Sequence, residues 1–103
     1  MMEFVKKWFA TAPAVDYAQL IKEGALVVDV RSQGEYAAGH IRGSINIPVG
    51  QLASQLQRLP KERAIITCCA SGMRSATARA VLQSHGYKTV YNGGGWGWLQ
   101  SKL

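Results

Sequence analysis

Cys69-Ala70-Ser71-Gly72-Met73-Arg74-Ser75 is the stretch of this chain whose residue types and spacing suit chemistry. It follows an apolar run that reads as a buried strand, and a helical pattern resumes at about Ser75. Small residues between a strand and a helix let backbone N–H groups turn inward and form an anion cradle. The start of the helix adds unpaired N–H groups and the positive end of its dipole. A cysteine at the mouth of such a cradle is expected to ionise below the value of about 8.5 for a free thiol, giving the nucleophilic thiolate. Arg74 adds a permanent cation able to fork onto an anionic substrate. The bland alternative for a strand-end cysteine is inert core packing. The turn glycine, the arginine and the following helix set Cys69 apart from it.

Cys68 is expected to be that inert neighbour, because successive side chains alternate faces along a strand. The doubled cysteine nevertheless leaves a second count open. Cys68 to Arg74 is C-x5-R, the spacing of cysteine phosphatases and arsenate-type enzymes, whereas Cys69 to Arg74 is C-x4-R. Gly72 stands three residues after Cys69, and Ser71 three after Cys68. A phosphatase is also helped by an acid that protonates the leaving oxygen, and the loop holds none. The shorter loop suits one sulfur atom better than a tetrahedral phosphate.

Asp29, at the end of another apolar run, is expected to be partly buried and therefore partnered. A bracing ion pair or N–H acceptor is the favoured role over acid catalysis. Arg31 is expected either to pair with Glu35 or to reach the active loop, again in support. His40 is expected to make a structural hydrogen bond, and Trp96 and Trp98 to pack.

The elements that must position these residues follow from periodicity and punctuation. Residues 1–14 form a leader in which Met2 to Ala10 has the pattern of a short helix, broken near Pro13. Asp16 with Gln19 reads as a capping box opening a helix over Tyr17 to Glu23, ended by Gly24. Ala25 to Val30 reads as a buried strand. Ser32 and Glu35 repeat the capping pattern ahead of a short helix closed by Gly39. Ser44 to Ile47 is a short strand stopped by Pro48. Leu52, Leu56 and Leu59 fall on one helical face, predicting a helix over Val49 to Leu59 ended by Pro60. Ala64 to Cys68 is a second strong strand, and Ser75 to His85 a helix capped by Gly86. Thr89 to Tyr91 is a last strand, followed by a Gly93–Gly95 loop and a C-terminal segment packed through Trp96 to Leu99. Alternating strands and helices predict an α/β fold: a small, mostly parallel central sheet flanked by helices.

Composition bounds the rest. The chain has 103 residues, enough for one domain, assigned to 15–103. Apolar residues make up 48% and charged residues 17%, which excludes disorder. No apolar run approaches the roughly 18 residues of a membrane span, and the leader lacks the pattern of a signal peptide, so the expected location is the cytoplasm. The net charge of +6 raises the prior for a small anionic partner. The cations are scattered, which argues against nucleic acid. Adjacent cysteines cannot form a disulfide framework, and no metal or cofactor site is expected.

Four stretches, in order, resemble the rhodanese-like sulfurtransferases. Cys69-x-x-Gly72-x-Arg74-Ser75 is similar to their active-site loop. Val28-Asp29-Val30-Arg31 with Glu35 is similar to their strand-end D-x-R pattern. Gly39-His40-Ile41-Arg42-Gly43-Ser44-Ile45-Asn46-Ile47-Pro48 and Gly93-Gly94 followed by Trp98 complete the set, from about Asp16 to Trp98. The resemblance implies a single rhodanese domain in which Cys69 takes sulfane sulfur from a donor such as thiosulfate. The persulfide then passes to cyanide or a thiol, including a protein thiol of thioredoxin-like type. It also implies that the N–H groups of Ala70, Ser71, Gly72, Met73, Arg74 and Ser75 hold the sulfur, and that Arg74 closes the loop and favours an anionic donor. A binding module of the same fold without turnover is the remaining alternative, against which the presence of the cysteine argues.

Overall fold

The two β-rich runs become the middle of the sheet in the computed structural model, which describes residues 14–103. Strand β1 (Leu26–Asp29) pairs in parallel with β3 (Ile65–Cys69), with Leu26 opposite Ile65 and Asp29 opposite Cys68. Strand β2 (Ile45–Asn46) lies outside β1 and β4 (Val90–Gly95) outside β3, all parallel, in the order β2-β1-β3-β4. The chain builds outward from β1 to β2, then crosses to the other side of β1 to lay down β3. The order therefore reverses between β1 and β3. In open α/β sheets the crevice at the carboxyl ends of the strands flanking such a reversal is where ligands bind.

Among the described residues four helices cover the sheet: α1 (Tyr17–Lys22), α2 (Gln33–Ala38), α3 (Met73–Ser84) and α4 (Trp96–Ser101). Along β3 the side chains alternate between two core clusters. Ile65 and Cys69 join Leu52, Ala78 and Leu82 on one face, and Ile66 and Cys68 join Tyr17, Ala25 and Leu99 on the other. Both faces are thus buried, as parallel sheets require. Leu52, Ile65 and Leu82 are wholly inaccessible, and truncating one such side chain to alanine typically costs about 2–5 kcal/mol.

The capping signals operate unequally. Asp16 accepts from the Gln19 N–H at 3.0 Å, but the Gln19 amide turns to Glu23, so only half of the expected box forms. Ser32 and Glu35 make both halves of theirs. Gly24 and Gly86 adopt φ of +102° and +89° just beyond α1 and α3, the left-handed step that ends a helix.

Three expectations about elements are corrected. The Val49–Leu59 helix is instead two 3-10 segments, Val49–Ser54 and Leu56–Arg58, parted at Gln55. No side chain caps the first; the N–H groups reach back three residues, as Gln51 does to Pro48 at 2.8 Å, and 3-10 pieces stay short. Leu52 and Leu59 still reach the core. Helix α3 begins at Met73 rather than near Ser75, because Gly72 turns directly into it. Strand β4 runs through Gly93–Gly95 instead of ending at Tyr91. Gly93 and Gly95 serve close backbone approach: a Cβ on Gly93 would stand 2.8 Å from the Thr67 carbonyl oxygen. The helix expected over Met2 to Ala10 lies outside the described residues.

Candidate active site

Cys69 ends β3, and Gly72, at φ +112°, folds the chain back over the strand end before α3 begins. Only a residue without a Cβ takes that conformation cheaply. The turn brings the Gly72 N–H to donate to Cys69 Sγ at 2.9 Å. Ser75, in the first turn of α3, places its hydroxyl oxygen 3.4 Å from the same sulfur. Cys69 is only 1% exposed, so the sulfur sits on the floor of the cradle rather than at its mouth. Burial is the largest influence on its ionisation and pushes the thiol up. Hydrogen bonding with the Ser75 hydroxyl and with the N–H groups of Ser75, Gly72 and Ser71 outweighs it, and the thiol lies below its ordinary value. Of the remaining loop residues, Ala70 and Met73 are exposed, Met73 at 81%, and form the rim.

Cys68 points to the other face, into the cluster with Ile66 and Leu99. Burial, then the nearby Asp29 carboxylate, push its thiol up to about 12. The C-x5-R count therefore has no sulfur in the loop.

Arg74 does not stand open to a substrate as expected. Its Nη1 and Nη2 donate to Glu35 Oε1 and Oε2 at 2.7 and 3.0 Å. The pair is half-exposed and joins the active loop to the capping box of α2. Arg74, followed by the Ser32 N–H, holds the Glu35 carboxyl down to about 2. Arg31 consequently does not meet Glu35, nor does it reach the loop. Its Nη2 donates to Asp29 Oδ2 at 2.7 Å and to the Gly39 carbonyl at 2.6 Å, and Asp29 Oδ1 also accepts the Arg31 N–H at 3.0 Å. Both side chains are buried, and the guanidinium lies 4.7 Å over the Trp96 ring. The two charges are thus paired and hydrogen-bonded, the condition for tolerating them inside.

His40 Nδ1 donates to the Tyr36 carbonyl at 2.8 Å and its ring stacks on Tyr36. Trp96 is half-buried, whereas Trp98 is 54% exposed and meets Tyr17 edge-on, so its packing is partial. A cavity of about 340 Å³ opens between the start of α1 and Tyr91, touching none of the loop residues. Among the described residues no three His, Cys, Asp or Glu side chains group to hold a metal ion, and no helix is long and apolar enough to cross a membrane.

Two contributors lie outside the site residues that the sequence singles out. Gly95 lies under the loop, where a Cβ would come 2.8 Å from the Ala70 carbonyl oxygen. Asn92 reaches the same place from β4: its Oδ1 takes the Ser75 hydroxyl at 2.6 Å and the Gly94 N–H at 2.9 Å. The glycine triplet was a visible signal for the first, misread as a loop; nothing in the sequence pointed to the second.

Comparison with known proteins adds a lineage to this geometry. The rhodanese-like domain family matches residues 13–101. A thiosulfate sulfurtransferase, GlpE, of Pseudomonas fluorescens is 37% identical over 75% of this chain and 72% of its own length. A sulfurtransferase of Allochromatium vinosum is 36% identical over 68% of this chain, which spans 65% of that protein. Among solved structures, the human single-domain sulfurtransferase TSTD1 superposes with a TM-score of 0.77 at 32% identity, covering 89% of this chain and 98% of that one.

Proposed function

The chain belongs to the rhodanese-like domain family, whose similar members named above are sulfurtransferases, and we propose that it transfers sulfane sulfur through a persulfide on Cys69. The observation that carries this reading is the Gly72 N–H held 2.9 Å from Cys69 Sγ, with Ser75 beside it, at the crevice end of β3. The same donors that favour a thiolate favour the negative charge of a persulfide. In the first half-reaction the Cys69 thiolate attacks the outer sulfur of thiosulfate. A new S–S bond forms at Sγ, the sulfur–sulfur bond of thiosulfate breaks, and sulfite leaves with the electron pair. In the second, an acceptor thiolate or cyanide attacks the terminal sulfur. The Sγ–S bond breaks, Cys69 departs as thiolate, and the acceptor becomes a persulfide or thiocyanate. A small persulfide donor enters by the same first step, its thiolate leaving in place of sulfite, and a thioredoxin-like protein thiol is a suitable acceptor.

Ala70, Ser71, Gly72, Met73, Arg74 and Ser75 are assigned as the binding loop, with Asp29 and Arg31 in support at the end of the neighbouring strand β1. Arg74 acts first as a brace, since Glu35 occupies both of its terminal nitrogens. The reading is tested by incubating the protein with thiosulfate and measuring intact mass. A gain of one sulfur atom is expected in the wild type and in Cys68→Ser, and none in Cys69→Ser. A gain retained in Cys69→Ser overturns the assignment. A gain lost only in Cys68→Ser moves the carrier by one residue.

A further inference from the structure

We propose that Asn92 is a positioning residue that governs how readily Cys69 ionises, by competing with the sulfur for the single proton of the Ser75 hydroxyl. The proposal rests on Cys69 being the sulfur carrier and adds a control on its reactivity.

The orientation of the Asn92 amide is fixed by its neighbours. Oδ1 accepts the Gly94 N–H at 2.9 Å, and Nδ2 faces the Gly72 carbonyl at 3.5 Å. The atom facing Ser75 Oγ at 2.6 Å is therefore Oδ1. Two oxygens at that distance need a proton between them, and a carbonyl has none to give, so Ser75 donates. A serine hydroxyl has one proton and two lone pairs. With its proton on Asn92, Ser75 turns a lone pair toward Cys69, whose S–H donates to it at 3.4 Å. This arrangement suits the thiol. A thiolate accepts only, so when Cys69 releases its proton to solvent the Ser75 hydroxyl must swing from Asn92 Oδ1 to Sγ. Asn92 Oδ1 then keeps the Gly94 N–H alone. One proton leaves and one rotates, and no other bond changes. The Gly72 carbonyl, 3.0 Å from Ser75 Oγ, is a weaker competitor.

The charged groups around the sulfur do not replace this control. Arg74 on α3 is paired with Glu35 of α2, and Asp29 of β1 with Arg31. Cys68 on β3 and Tyr91 on β4 belong to the cluster on the other face of the sheet. The consequence for chemistry is a thiol whose ionisation is favoured less than the loop donors alone would favour it. Intrinsic nucleophilicity falls as a thiol's pKa falls, and the best attacking thiol has a value near ambient pH.

The test is the pH profile of iodoacetamide alkylation at Cys69, read by peptide mass. Asn92→Leu removes the acceptor at similar volume. Its midpoint is expected to move down, and alkylation below the midpoint to quicken about fivefold, the equivalent of one hydrogen bond. In a Ser75→Ala background the same substitution is expected to move nothing. An unchanged or raised midpoint, or a shift that persists without the Ser75 hydroxyl, overturns the proposal. Should Asn92→Leu not fold, Asn92→Asp keeps the shape and strengthens the acceptor. Its midpoint is expected to rise, and by more with Ser75 present than with Ser75→Ala; equal shifts in the two backgrounds reduce it to a charge effect and overturn the proposal. Alkylation reads the thiol alone. A protein that shows this coupling but takes no sulfur from thiosulfate therefore overturns the carrier reading and leaves the coupling standing.

Discussion

Adjacent thiols on one strand meet opposite environments here because a strand turns successive side chains to opposite faces. Cys69 faces the loop, where hydrogen-bond donors favour its thiolate against the effect of burial, and Cys68 faces an apolar cluster that pushes its thiol up to about 12. At neutral pH iodoacetamide is expected to modify Cys69 and to spare Cys68 until the protein unfolds. In the Cys68→Ser protein the alkylation rate should titrate with a midpoint below about 8.5. Comparing Cys68→Ser with Cys69→Ser checks both statements. Equal rates in the two variants, or a midpoint at or above the free-thiol value, would show that the cradle does not activate the sulfur. The absolute rate will be modest, since Cys69 is 1% exposed and the reagent must pass the loop.

At the scale of elements, the loop is held from below by β4 as well as by its own turn. Strand β4 pairs with β3 up to Cys69 opposite Gly95, after a register shift between Thr67 and Cys69. At that shift the backbone of Gly95 lies against the Ala70 carbonyl, 2.8 Å from where a Cβ would sit. Gly95→Ala is therefore expected to displace the Ala70–Gly72 turn and slow sulfur loading tenfold or more. Gly97→Ala, in α4 with nothing within 4 Å, is expected to leave loading unchanged and to stabilise by about 0.4–1 kcal/mol. Loading rates and melting temperatures of the pair check this; undiminished loading in Gly95→Ala would remove β4 from the account. The same glycines mark where sequence reading stopped short. Period and punctuation revealed β1, β3, the caps at Ser32 and Gly24 and the Cys69 loop, because those depend on neighbours in sequence. The roles of Gly93 and Gly95 depend on Thr67 and Ala70, more than twenty residues away, so the triplet reads in sequence as a loop. Likewise the sequence reads Arg74 as a cation for an anionic substrate and Arg31 as a supporting one, but which carboxylate each meets depends on residues brought together by the fold. Arg31 took Asp29, two residues back, which left Glu35 for Arg74.

Across the whole molecule, that exchange of partners ties the two halves of the sequence together. Glu35 and Arg74 are 39 residues apart; one caps α2 after β1, and the other opens α3 after β3. A half-exposed pair is worth little by charge alone, but this carboxylate also completes the α2 capping box, so a single protonation loosens both. Glu35 falls from an ordinary 4.5 to about 2 in the folded protein. Its folded value is depressed, so its contribution is complete above the unfolded value and is lost as the pH falls through the folded one. The wild type is thus expected to melt above Glu35→Gln at neutral pH, with the gap narrowing below pH 4.5 and closing at about pH 2. Paired thermal melts of the two proteins across that range check the prediction. Subtracting one from the other cancels every carboxylate they share, including the buried Asp29. A gap that stays constant with pH would mean that Glu35 contributes through shape alone and that the link between the halves is not electrostatic.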